Sequence, residues 1–366
     1  MSAGNVFLMI FPGASYLVAM LIGVVVVVLY TFLGGFKAIC WSDMFQALLM
    51  VIVIVAVPVM AIFSSQIGGW DNMMHILGNM TDLPDKFTNI MYSNGKAIGI
   101  IALASSLAWG LGYFGMPHVI IRYTAIRDPK ELKISRRVAT IWVVICLAAA
   151  GIIGVVGRAY APDLANPETV FVFMANSLLV AALAGVVYAA ILAAVMSTAD
   201  SQLLQASSAV SNDLLKRFSK KEYDDKKLLW IARAVVIVIA LVAAVIASSK
   251  NGSIMALVSY AWAGFGAAFG PLVILALFWK KANAKGAIAG LLVGFATIVI
   301  WNTCFVSGGI IGGGTWLIFD TGLYELVPGF ILSFITIVVV SLATGGPEEQ
   351  IEKEYDSYQE ELEKIA

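Results

Sequence analysis

Apolar residues gather in nine runs, at 14 to 34, 42 to 63, 97 to 117, 138 to 159, 179 to 211, 228 to 248, 253 to 279, 285 to 306 and 322 to 343. Each is long enough for a helix that crosses a bilayer core, so the pattern predicts nine membrane spans. The polar stretches between them alternate in charge. The loop after span three holds Arg122, Arg127, Lys130, Lys133, Arg136 and Arg137; the loop after span five holds Lys216, Arg217, Lys220, Lys221, Lys226 and Lys227; the loop after span seven holds Lys280, Lys281 and Lys285. The intervening loops carry only scattered cations such as Lys86, Lys96 and Lys250. The positive-inside rule therefore puts the three basic loops and the C-terminus in the cytoplasm and Met1 outside. The same alternation argues against nucleic acid as the reason for the basic loops.

The segments outside the runs are short or polar. Residues 64 to 96, with Trp70, His75 and Pro84, read as an external loop with a short interfacial helix. The string VFVFMAN between Pro167 and Ser177 is too short to span and reads as a re-entrant or interfacial piece leading into span five. Ser307 to Thr315, SGGIIGGGT, has neither the Lys-Ser/Thr nor the preceding strand of a phosphate loop and reads as a flexible external loop. Residues 1 to 343 thus form a transmembrane domain, and 344 to 366 an acidic cytoplasmic tail with Ile351, Tyr355, Tyr358 and Leu362 at helical spacing. Met1 to Gly13 has no basic n-region and no small-residue cleavage pattern. An external start directly before a span predicts that an N-terminal part is missing.

Composition narrows the class. The chain is 60% hydrophobic and 13% charged with mean hydropathy +0.91, which is the composition of a polytopic membrane protein. Its formal net charge is zero, so only the placement of charge is informative. Cys40, Cys146 and Cys304 stand singly in apolar surroundings, and His75 and His118 are the only histidines. This argues against a redox centre, a haem or a histidine-rich metal site, and so against a membrane enzyme or respiratory subunit; no cofactor is expected.

Three polar or broken constellations interrupt the apolar runs. The main one is in span five, AAILAAVMSTADSQLLQASSAVSND from Ala190 to Asp213. On a helix Ala194 lies one turn from Ser197 and Thr198, and Ser197 one turn from Asp200 and Ser201. Oxygens gathered on a small-residue face at membrane depth need compensation by an ion, a water path or a paired charge, and the pattern points to a cation site. The second is Asp43 in Trp41-Ser42-Asp43 with Gln46, following Gly34-Gly35. Asp43 reads equally as negative charge on a cation path and as a carboxylate complementing the start of span two. The third is AWGLGYFGMP, Ala108 to Pro117 in span three, where Trp109, Tyr113 and Pro117 recur every four residues among glycines. It reads either as a discontinuous helix exposing backbone groups to a zwitterionic solute or as a glycine-rich packing face with an aromatic stripe. In span seven, SYAWAGFGAAFGP from Ser259 to Pro271, Tyr260, Trp262, Phe265 and Phe269 alternate with small residues and suit close packing or an outer lid.

These strings together, Gly34-Gly35-Phe36 with Trp41, Asp43 and Gln46, Trp109 to Gly115 with Pro117-His118, Ala190 to Thr198 with Gln202-Leu203-Leu204, and Tyr260 to Gly266 through Pro271, resemble the sodium:solute symporter family, nearest to its proline-transporting bacterial members. The resemblance implies an all-α leucine-transporter-like inverted-repeat fold, here partial, with the first core helices absent and two additional helices at the C-terminus. It implies sodium at the Ala194 carbonyl and the Ser197 and Thr198 hydroxyls, a candidate second cation site at Asp43, Asp200 and Ser201, and L-proline against Trp109, Tyr113 and Pro117. Met116 stands where the proline transporters have glutamine, which keeps another amino acid, pantothenate or a sugar acid in view. The expected function is sodium-coupled proline uptake across the bacterial inner membrane, the rival within the family another small solute, and the rival outside it an inert fragment.

Overall fold

The structure, a computed structural model, describes residues 13, 15–93, 95–219, 223–248, 254–307 and 316–365. The glycine-rich run expected as an external loop falls almost wholly outside the described residues, as does Met1. Among the described residues seven helices are long and apolar enough to cross a membrane, and an eighth span results if one bent pair is counted together. The helices divide into two compact units, Met1–Ile90 with Ser135–Asn251, and Met91–Ile134 with Gly252–Ala366.

The first unit begins with α1 (Tyr16–Phe32) and α2 (Gly35–Ile62). They run on from one another except at Gly35, whose φ of 66° is a left-handed conformation that glycine adopts without a Cβ penalty. Run 14 to 34 therefore appears as an apolar helix at the lower end of the length that spans a bilayer core. Helices α3 (Trp70–Gly78), α6 (Leu132–Tyr160), α7 (Val170–Leu178), α8 (Ala181–Ser208), α9 (Leu215–Phe218) and α10 (Asp225–Ser248) complete the unit. Its core joins Val57 and Ala61 of α2 to Met73 of α3, Val156 of α6, Met174 of α7 and Val187 of α8. The VFVFMAN string forms α7, too short to cross, with Met174 and Ala175 fully buried in that core. Helix α8 does not end cleanly: residues Ala209–Leu214 form a π turn before α9.

The second unit contains a two-residue hairpin, β1 (Tyr92–Ser93) with β2 (Lys96–Ala97), then α4 (Ile100–Gly112) and α5 (Pro117–Thr124), then α11 (Ile254–Phe278), α12 (Ala284–Cys304), α13 (Leu326–Ala343) and α14 (Glu349–Ile365). Helices α12 and α13 lie antiparallel, and a glycine stripe lets their backbones close up. A Cβ at Gly290 would stand 2.1 Å from Ile337 Cγ1, and Ser333 Oγ donates to the Gly290 carbonyl at 2.9 Å. Asn283 clasps the other end: its Oδ1 accepts from Gly286 N at 2.8 Å, and its Nδ2 donates to Thr344 Oγ1 at 2.8 Å and the Gly346 carbonyl at 2.9 Å. Lys280 Nζ donates to Asp356 on α14 at 2.8 Å, so the loop after α11 and the acidic tail lie on one side.

Large apolar side chains such as Leu29, Ile52, Val138, Leu147, Val245 and Ile300 are exposed along these helices. Exposed apolar surface of this extent is the lipid face of a multi-pass membrane protein, which this chain is.

Candidate functional site

Helix α8 carries the oxygen cluster expected at its middle. Ser197 Oγ donates to the Ala194 carbonyl at 3.1 Å and Thr198 Oγ1 to the same carbonyl at 3.2 Å, so three oxygens share one turn. Serine and threonine hydroxyls make this bond to the preceding turn in many helices. Here it leaves the lone pairs of both hydroxyls, which retain acceptor capacity, on a partly open face, with Ser197 half-buried and Thr198 exposed. Carbonyl and hydroxyl oxygens suit a hard cation.

One turn further, Ser201 joins two carboxylates. Its Oγ lies 2.8 Å from the Ser197 carbonyl, 3.3 Å from Asp200 Oδ1 and 3.5 Å from Asp43 Oδ2. Asp200 is 0% exposed and Asp43 7%. Two buried carboxylates on packed apolar helices cost several kcal/mol unless positive charge balances them. Asp43 does not complement a helix start. The helix begins at Gly35, so Asp43 sits beyond its second turn, past the orphan amides that would reward a carboxylate. Tyr30 of α1 is also within Coulombic reach of both carboxylates. Nothing in the local sequence singles out Tyr30, because its approach depends on the break at Gly35.

In the second unit the predicted discontinuity in span three is present. Helix α4 ends at Gly112, a 3-10 turn follows over Tyr113–Gly115, Met116 is extended (φ −81°, ψ 108°), and Pro117 opens α5 at a bend of 49°. Proline suits that first position because it has no N–H to leave unpaired. The glycine reading holds as well, since α4 and α11 cross there backbone against backbone. A Cβ at Gly115 would lie 2.3 Å from the Phe265 carbonyl oxygen, and one at Gly266 would lie 2.8 Å from Gly112 Cα. Break and close packing are therefore one feature: the glycines that weaken the helix admit α11.

Around this crossing stands an aromatic wall. The Trp109 ring is nearly parallel to Trp262 (centroids 5.4 Å apart, 11°) and to Tyr324 (6.1 Å, 16°), and the edge of Tyr113 meets Trp262 at 4.8 Å. Trp262 Nε1 donates to the Trp109 carbonyl at 2.9 Å, tying α11 to the last turn of α4 before the break. Trp109 and Tyr113 belong to this wall; Pro117 starts the next helix beyond the bend, so the three do not continue one straight helical face. Tyr324, in the segment before α13, was not marked by any local pattern.

The chain matches the model of the sodium:solute symporter family over residues 1–294. It is 38% identical to the high-affinity proline transporter PutP of Bacillus subtilis over 99% of this chain and 73% of that protein. It is 40% identical to the osmoregulated proline transporter OpuE of the same organism, covering 94% of this chain and 67% of that one. Against the sodium/proline symporter of Escherichia coli it is 38% identical, covering 94% of this chain and 65% of that one. Its fold is similar to that of a sodium-coupled sialic acid symporter solved in a substrate-bound outward-open state, with a TM-score of 0.72 at 21% identity, over 94% of this chain and 71% of that one. The helical architecture, the matched family model and these relatives together make this chain a member of the sodium:solute symporter family.

Proposed function

We propose that this chain belongs to a secondary active transporter that couples sodium entry to L-proline uptake across the bacterial inner membrane. The likeness to proline transporters along nearly its whole length carries this reading. The chain spans about two thirds to three quarters of those relatives, so the activity proposed is that of the whole protein.

In this reading sodium binds at the Ala194 carbonyl and the Ser197 and Thr198 hydroxyls. Asp43, Asp200 and Ser201 supply a second cation position whose charge balances the buried carboxylates. Proline packs its ring on the Trp109 and Tyr113 side chains near Pro117, while the backbone groups opened by the break meet its carboxylate and ammonium. Sodium and solute must favour the same conformation for their movements to be coupled. The basic loops and the tail after Ala343 face the cytoplasm.

The test is labelled proline uptake into membrane vesicles that carry the gene product as the cell makes it. Ser197→Ala and Thr198→Ala should each raise the sodium concentration for half-maximal uptake by about tenfold, the loss of one charge-assisted ligand. Unchanged sodium activation in both variants refutes the sodium assignment. Inhibition of uptake by pantothenate or a sugar acid more strongly than by proline would transfer the assignment to another solute of the same family.

A further inference from the structure

We propose that Tyr324 is a positioning residue of the solute site, holding the Trp109 indole through contacts to two helices. This rests on the reading above of Trp109 as a wall against which the solute packs.

Tyr324 is tied at three points. Its backbone N–H donates to Ser105 Oγ at 3.0 Å, on α4 one turn before Trp109. Its phenol donates to the Ser259 carbonyl at 2.6 Å, on α11 three residues before Trp262. Its ring lies nearly parallel to Trp109 itself. The same α11 returns the Trp262 indole N–H to the Trp109 carbonyl. Trp109 is thus fixed at its backbone by one aromatic residue and stacked by two, and Tyr324, from outside both helices that carry the wall, bonds to each of them. This arrangement matters because α4 breaks just after Trp109. Trp109 stands in the last turn of α4 before the break, and the ring contacts that hold it come from Trp262 on α11 and from Tyr324. The segment carrying Tyr324 is anchored in turn by Leu326, fully buried in the cluster with Ala263, Ala267, Ile298 and Phe330.

The brace acts on the solute through Trp109, and a double-mutant cycle isolates that route. Tyr324→Leu keeps an apolar side chain of similar bulk and removes the ring and the phenol; Tyr324→Phe keeps the stack and the backbone link. Uptake kinetics are measured for both, for Trp109→Ala and for Trp109→Ala with Tyr324→Leu, together with inhibition by pipecolic acid, the six-membered-ring homologue of proline. Tyr324→Leu should raise KM for proline about tenfold with a smaller change in maximal rate, and should narrow the preference for proline over pipecolic acid, since a loosened wall measures ring size less well. Tyr324→Phe, which keeps the stack and loses the bond to the Ser259 carbonyl, should raise KM by less than Tyr324→Leu does, and a rise as large as that of Tyr324→Leu overturns the stack as the contact that holds Trp109. In the Trp109→Ala background Tyr324→Leu should have no further effect on KM.

Parental KM and selectivity in Tyr324→Leu, with KM raised in Trp109→Ala, overturns the role of Tyr324 alone. Additive effects in the double variant overturn it too. Parental KM in Trp109→Ala overturns the solute wall and the brace together. If Tyr324→Leu does not reach the membrane, Ser105→Ala replaces it: the loss of the hydroxyl on α4 that accepts from the Tyr324 N–H should move KM and selectivity in the same direction, and parental values there overturn the proposal.

Discussion

Gly110 and Gly112 stand two residues apart in one helix, yet alanine should act oppositely at the two. At Gly112 a Cβ would lie 1.9 Å from Trp262 Nε1 and within 2.5 Å of two more atoms of the same indole. That ring is rigid and cannot yield at its tip, so it must leave, and with it go the bond to the Trp109 carbonyl and the near-parallel contact with Trp109. Leaving the indole N–H unpaired costs about 1–3 kcal/mol and losing the ring contact about 0.5–1.5 kcal/mol, against which alanine returns roughly 1 kcal/mol of helix propensity. The net destabilisation is about 2 kcal/mol. At Gly110 a Cβ meets nothing within 4 Å, so Gly110→Ala retains only the propensity gain and should stabilise by about 0.5–1 kcal/mol. Thermal unfolding of the two variants and the parent in the same detergent measures the difference directly. A Gly112→Ala protein as stable as Gly110→Ala would refute the crossing of α4 and α11 as described.

Two further substitutions test the pairing of α12 with its neighbours. Gly294→Ala places a Cβ 2.5 Å from the Ala267 carbonyl oxygen and 3.1 Å from Ser333 Cβ, and since backbone cannot rotate aside, it should cost about 1–3 kcal/mol; Gly264→Ala, with open space around it, is the control in the same unfolding assay. Asn283→Ala removes the side-chain cap of α12, worth about 1 kcal/mol, and the bonds its amide makes at the end of α13, of which the one to the Ser341 carbonyl at 3.3 Å is buried, worth about 0.5–1.5 kcal/mol more. A loss of stability indistinguishable from zero there would show that the clasp does not hold the two helices.

The features legible in the sequence are those encoded within one element. Hydropathy located the spans because a bilayer demands an uninterrupted apolar run, and the weak helix near Gly110 to Pro117 was legible because glycine and proline break helices locally. Span five placed Ala194, Ser197 and Thr198 together because helical spacing alone does that. What was not legible depends on residues distant in the chain. Trp262 meets Trp109 across 153 residues and Tyr324 meets Ser105 across 219, and no period links them. Two aromatic strings each explicable as packing become a wall only when α11 crosses α4 at the glycines. Residues 14 to 34 and 42 to 63 were separable as two runs, but the helix filling the gap between them was not, since only the backbone at Gly35 departs from it. That error also misplaced Asp43 at a helix start.

The two oxygen clusters on α8 share one residue through different atoms, and this decides what a substitution there can mean. The Ser197 hydroxyl belongs to the turn that closes on the Ala194 carbonyl, while the Ser197 carbonyl accepts from Ser201, whose oxygen in turn faces Asp43 and Asp200. Alanine at 197 removes the hydroxyl and keeps the carbonyl. It therefore strips a ligand from the proposed sodium position and leaves the bond that orients Ser201 between the carboxylates. A change in sodium dependence in Ser197→Ala then reports on the Ala194 turn, not on a collapse of the carboxylate cluster. Thr198 makes the comparison stricter, because its hydroxyl touches the same Ala194 carbonyl and lies outside the Ser201 chain altogether. Agreement between the two variants assigns the effect to the shared carbonyl turn; an effect confined to Ser197 would keep the Ser197 hydroxyl as a ligand there and remove Thr198 from the proposed sodium position.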